Sequence, residues 1–220
     1  MFREIFKLLR RDGLLEQALQ SCFEMLDLCG SMVHKAVDSL RNRDEAHPAT
    51  DVYELDKKLN HFEREVRRKV LTHLALGNPA DGAAAVTLVS VVIDIERIGD
   101  YCKNICDLAR DHADRLDVRE HEADLKEIET AALGLFERTV PAFRTGDTDA
   151  ARQLMQVYKE DVSRHCREVE ERLVRGETSL PASEAVTLAL YVRFLKRISA
   201  HSKNLVSSIV NPVERIGYGE

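Results

Sequence analysis

Ala85-Val86-Thr87-Leu88 recurs as Ala185-Val186-Thr187-Leu188, and the offset of 100 residues then holds without a gap. In that register Val92 falls on Val192, Arg97-Ile98 on Arg197-Ile198, and Lys103-Asn104 on Lys203-Asn204. A fainter echo lies upstream, where Val52-Tyr53-x-x-Asp56 matches Val157-Tyr158-x-x-Asp161 and Glu63 matches Glu168. Chance does not easily place so many identities in one register. The chain therefore carries one structural unit twice.

Apolar spacing outside the repeat supplies the rest of the unit. Leu15, Leu19, Phe23, Leu26, Val33, Val37 and Leu40 recur at three or four residues, which predicts a helix over 13–40. Leu55, Leu59, Phe62, Val66, Val70 and Leu74 predict a second from Asp51, stopped by Gly77-Asn78-Pro79. A third helix is expected from Pro79 or Asp81 to about Arg115. The plan then restarts with helices over 118–143, 147–175 and 181–210, broken at Thr145-Gly146-Asp147 and Gly176, with Pro181 as a first-turn residue. Short connections make neighbours antiparallel. The expected fold is all-α: two tandem three-helix-bundle repeats over 13–116 and 117–212. An N-terminal amphipathic segment (1–12) and a C-terminal tail (213–220) flank them.

Composition agrees. Hydrophobic residues make up 44% and charged residues 32%, with no Trp and only 5 Pro, a mixture that favours helix over sheet. The net charge of −6 is interleaved with basic residues and shows no basic stripe dominating the chain, which argues against a nucleic-acid partner. The longest apolar stretch, Ala83 to Ile95, is interrupted by Thr87, Ser90 and Asp94 and falls short of the roughly 20 residues of a membrane span. No secretory leader pattern opens the chain. Five cysteines (Cys22, Cys29, Cys102, Cys106 and Cys166) form an odd set that reads as buried free thiols in a reducing, cytoplasmic setting.

The chemistry-bearing stretch is Asp94-Ile95-Glu96-Arg97-Ile98-Gly99-Asp100-Tyr101-Cys102-Lys103-Asn104-Ile105. Glu96, Asp100 and Asn104 share a face at intervals of four, and Asp56 and Glu63 share a face on the preceding helix. If those faces meet, their oxygens suit magnesium, manganese, iron or zinc. Solvated or salt-bridged acids are the simpler alternative. Mid-helix Gly99 costs about 1 kcal/mol against alanine, so a close helix contact or room for a ligand is expected beside it. His201 reads as a partly exposed packing residue. Met1 to Arg11, apolar at Phe2, Ile5, Phe6 and Leu9 with basic flanks, suits either packing on the bundle or peripheral contact with a membrane.

Enzyme signatures are missing. No Glu-x-x-His, Gly-x-Ser-x-Gly, phosphate-binding Gly-rich loop or dinucleotide fingerprint occurs. The sequence is read as non-enzymatic.

Glu96-Arg97-Ile98-Gly99-Asp100 followed by Asn104-Ile105, late in a duplicated three-helix unit, resembles the signature of the PhoU family of phosphate-uptake regulators. The resemblance spans nearly the whole chain. It implies a regulator of phosphate transport and phosphate signalling that contacts a phosphate transporter and a sensor kinase at the inner face of the membrane. It also implies acidic motifs that in some members hold iron or zinc; Glu96, Asp100, Asp56 and Glu63 match them. The second repeat departs from the pattern: Lys196, Ser199 and Ala200 stand where Glu, Gly and Asp are expected, and Asp161, Glu168 and Asn204 persist. The Lys196 ammonium is expected to neutralise Asp161 and Glu168, leaving a metal site in the first repeat only, or none. A homodimer is compatible with this plan, and a metal-binding bundle or a structural interaction protein are the alternative functions.

Overall fold

The structure is a computed structural model that describes residues 13–42, 50–76, 81–112 and 114–219. The segment 1–12 and the Gly77-Asn78-Pro79 stop lie outside the described residues. All regular structure in the described residues is helical: α1 (Leu14–Arg41), α2 (Thr50–Ala75), α3 (Gly82–Asp111), α4 (Glu122–Thr145), α5 (Thr148–Val157), α6 (Arg164–Val174) and α7 (Ala182–Val210). A π-helical turn, Tyr158–Ser163, joins α5 to α6, so the two form one rod.

Local chemistry explains the ends. Gly146 closes α4 in the left-handed region (φ 66°), which a residue without a side-chain carbon tolerates. Asp147 then caps α5, its carboxylate accepting from the Asp149 and Ala150 amides at 3.0 Å each. Helix α3 stops at Asp111, four residues before the expected end. His112 leaves the helix there and bonds the Asp114 carbonyl at 2.6 Å and Glu184 of α7 at 3.1 Å. The expected start of the fourth helix is also later, because Arg119–His121 forms a 3-10 turn before α4.

Within the first repeat α1, α2 and α3 pack on one another, and in the second α4 and the α5–α6 rod pack on α7. The repeats are joined by like elements running in opposite directions. Along α1 and α4, Asp27 meets Arg144, His34 meets Glu137 and Arg41 meets Glu129. Along α3 and α7, Asp94 meets His201 while Tyr101 meets Phe194. In each pair one number rises as the other falls, the signature of an approximate twofold between the repeats. The core is continuous across that axis, from Leu15 of α1 through Ile95 and Ile98 of α3 to Leu195 and Ile209 of α7. Burial of each such aliphatic side chain contributes about 1.5–3 kcal/mol, so the repeats stabilise each other as halves of one core.

The approximate twofold is broken by the π turn. Sequence spacing treats 147–175 as a regular helix, but the wide turn rotates α6 relative to α5. Val162 within it and Cys166 and Glu170 beyond it line up at intervals of four toward α7, with Val162 and Cys166 fully buried.

Candidate functional site

The seam between α2 and α3 gathers the first-repeat acids. Leu59 is fully buried there, and a methyl on Gly99 would overlap its Cδ1 well inside contact distance. Glycine at 99 is thus explained by close helix contact. That approach brings Asp56 of α2 beside Asp100 of α3, and the Lys103 ammonium donates to Asp56 Oδ2 at 2.9 Å and to Asp100 Oδ1 at 3.1 Å. Asn60 Nδ2 also donates to Asp56 Oδ2 at 3.2 Å. Arg97 holds the other Asp100 oxygen at 3.1 Å and stands 3.7 Å from Glu96. Glu63 is engaged by Arg67 at 2.7 Å.

Glu96 is the strained member of the set. Burial raises its carboxyl above the usual range first, the Asp100 carboxylate adds to this, Arg97 opposes it, and Glu63 and Asp56 raise it further. The set does not fit a resident metal as it stands. Oxygens of Asp56 and Asp100 are turned to the same ammonium, and among the described residues no three His, Cys, Asp or Glu side chains converge as an ion site. Lys103 is the residue that sequence spacing missed. The repeat itself marked it, since Lys103-Asn104 aligns with Lys203-Asn204.

The second-repeat expectation is corrected. Lys196 pairs with Glu170 at 3.1 Å, whereas Asp161 and Glu168 are exposed and Glu168 is held by Arg164 at 3.1 Å. The π turn is the physical reason. It sets Glu170 on the Val162–Cys166 face and leaves Asp161 and Glu168 exposed off that face.

Asn204 serves neither acid. Its amide crosses to the first repeat and donates to Asp94 Oδ1 at 2.9 Å, and His201 Nδ1 reaches the same oxygen at 2.7 Å. His201 is buried rather than partly exposed. An Asp acceptor at Nδ1 and the Arg197 guanidinium 3.4 Å from Nε2 assign the proton to Nδ1. Tyr101 stacks on the imidazole at 5.8 Å and accepts from Arg197 Nε at 3.1 Å. Nearby, Lys203 donates to the Gly217 carbonyl, tying the C-terminal tail to α7, and burial lowers its ammonium below the usual range. A second buried network joins α1 to α4 and α7. Arg41 engages Glu122 and lies 2.9 Å from Glu129, which accepts from the Tyr191 hydroxyl at 2.8 Å.

These networks are polar, buried and internal. The five cysteines are buried free thiols; burial pushes Cys22 and Cys166 up to about 12 and Cys106 up to about 11. They are poor nucleophiles there.

Comparison with known proteins gives one answer. The PhoU domain model matches twice, over residues 23–109 and 125–217. The chain is 25% identical over 200 residues to the phosphate-specific transport system accessory protein PhoU homolog of Pseudomonas aeruginosa, covering 89% of this chain and 82% of that protein. It is 28% identical over 192 residues to PhoU homolog 1 of Thermotoga maritima, covering 85% and 82%. The crystal structure of PhoU from Pseudomonas aeruginosa superposes with a TM-score of 0.77 at 25% identity, over 90% of this chain and 95% of that one. PhoU from Streptococcus pneumoniae, described as a phosphate transport system regulatory protein, shares the fold with a TM-score of 0.76 at 16% identity, over 89% and 93%. With a domain match on each half and a twofold relating those halves, this chain belongs to the PhoU domain family.

Proposed function

We propose that the protein is a non-catalytic regulator of phosphate transport and phosphate signalling, an adaptor that docks on a phosphate-transporter component or its sensor kinase at the cytoplasmic face of the membrane. The observation that carries this is the pair of PhoU domain matches spanning both repeats, joined to relatives described as accessory proteins of phosphate-specific transport. The interior supports an adaptor rather than an enzyme. Its Asp94–His201–Asn204 and Arg41–Glu129–Tyr191 networks tie helices together, and its thiols are sealed in the core. No helix of the described residues is long and apolar enough to cross a membrane, which suits a protein that meets a transporter from one side.

Deletion of the gene, with phosphate uptake and expression of phosphate-starvation genes as readouts, tests the proposal. Affinity capture from cells grown with phosphate present and withheld accompanies it. Deregulated uptake and phosphate-dependent recovery of a transporter component or sensor kinase are expected. Unchanged uptake with neither partner recovered refutes it. The alternative of a metal-binding bundle is separated by elemental analysis of the purified protein and of Glu96→Ala/Asp100→Ala. Stoichiometric metal lost in the variant favours that alternative.

A further inference from the structure

The outer face of α2 carries a row of basic and apolar side chains. Lys57, His61, Arg64, Arg68, Leu71 and Ala75 follow one another at alternating steps of four and three, directly opposite the buried stripe Val52, Asp56, Leu59, Val66 and Val70. The row is basic for three turns, with Lys57 paired to Glu54 at 2.7 Å and His61 4.0 Å from Glu65, and then apolar. Lys58, Arg64 and Arg68 are exposed and have no hydrogen-bond or ion-pair partner among the described residues. At the far end Leu71 is 69% exposed, Leu76 80% and Val86, across the hairpin on α3, 49%, with Leu74 beside them.

The matching rod of the second repeat has an exposed apolar tip too, at Val174 and at Val186 of α7, but most of its basic side chains are paired. Along α6 and its C-cap Arg164 is paired with Glu168, Arg172 with Asp124 and Arg175 with Glu171, and exposed Arg167 alone has no ion-pair partner among the described residues. The repeats therefore differ in how far their outer charges are paired, while their apolar tips correspond. In a chain of net charge −6, Lys58, Arg64 and Arg68 put three unpaired cations on one helix among the described residues.

We propose that this face of α2 seats the protein on an anionic lipid bilayer, with the unpaired guanidinium and ammonium groups over lipid phosphates and the Leu71–Leu74–Leu76–Val86 tip inserted among the headgroups. Charge complementarity supplies the attraction and the protruding tip supplies the apolar contact. Two features favour a bilayer over an acidic protein surface. The row runs along a single helix for about 28 Å (19 residues at 1.5 Å each), a length that suits an extended plane. The leucines project from the helix end instead of lining a groove that would take up a particular side chain. The inference stands apart from the transporter partnership, because lipid binding needs no transporter.

Flotation with vesicles of phosphatidylcholine, alone or mixed with phosphatidylglycerol, tests it at low and high salt. Far-UV circular dichroism checks that each variant is folded. The wild type is expected to float with the anionic vesicles at low salt and to leave them at high salt. A basic side chain near such a surface is worth about fivefold in partitioning, so Arg64→Gln/Arg68→Gln is expected to bind roughly 25-fold more weakly. Leu71→Ser/Leu76→Ser is expected to weaken binding in anionic vesicles, while Arg164→Gln/Arg175→Gln on the second repeat leaves it unchanged. No flotation overturns the proposal. So do equal binding to neutral vesicles, unaffected binding by the α2 variants, and an acidic protein that captures the face while vesicles do not.

Discussion

Replacing Arg41 with methionine tests whether buried charge ties the two repeats together. The Arg41 side chain is 9% exposed and that of Glu129 is 12% exposed, while Glu122 is nearly half exposed. Arg41 also donates to the Leu116 carbonyl at 3.1 Å. In Arg41→Met the Glu122 carboxylate returns to water at little cost, but Glu129 keeps only the Tyr191 hydroxyl. Stranding one buried partner of an ion pair costs about 3–5 kcal/mol. Proton uptake by Glu129 relieves part of this, because burial already holds its carboxyl above the usual range. The expected loss is about 3 kcal/mol, or roughly 6–12 °C in Tm for a chain of this size. Urea unfolding followed by far-UV circular dichroism measures it, and Arg41→Met/Glu129→Gln completes a double-mutant cycle. The double variant is expected to recover at least half of the loss, since a neutral amide still accepts from Tyr191. The pH dependence has a definite sign. A carboxyl whose folded pKa exceeds its unfolded value binds more protons when folded across that window, so its contribution to stability falls as pH rises through it. Arg41→Met is therefore expected to regain stability on acidification toward the ordinary Glu range. A loss below about 1 kcal/mol, or additive single and double variants, would falsify the reasoning.

Three further outcomes are expected. Asp94→Ala strands the His201 Nδ1–H and the Asn204 amide at the α3–α7 crossing, and a loss of about 3 kcal/mol in denaturant unfolding follows from two unsatisfied donors; a loss under 1 kcal/mol counts against it. Glu96→Gln removes a carboxylate whose pKa is raised, so it is expected to stabilise at neutral pH by about 0.5 kcal/mol and to have no such effect in acid, read as the difference in Tm between the two pH values. A thiol reagent at mildly alkaline pH is expected to label none of the five buried cysteines in the native protein and all five in urea; rapid native labelling of Cys106 or Cys166 contradicts their placement.

Much of the fold was legible along the chain because helices announce themselves locally. Apolar residues at three and four, a Gly146 stop and an Asp147 cap are short-range signals, and the duplication is visible as plain identity between Ala85–Asn104 and its copy. Gly99 was legible too, since an interior glycine needs a neighbour that crowds it, and Leu59 is that neighbour. The π turn was not legible. Nothing in Tyr158–Ser163 breaks helical periodicity, yet one wide turn moved Asp161 and Glu168 out of reach of Lys196.

The sequence by itself determined the elements, the repeat and the faces that carry charge. Only the tertiary structure decided which charges meet. Periodicity states which side of a helix a residue occupies, but a salt bridge also depends on the axial register and rotation of two helices about each other. Those are fixed by core packing across the whole chain, which is why Lys103 lies between Asp56 and Asp100 and why Asn204 answers to Asp94, 110 residues away.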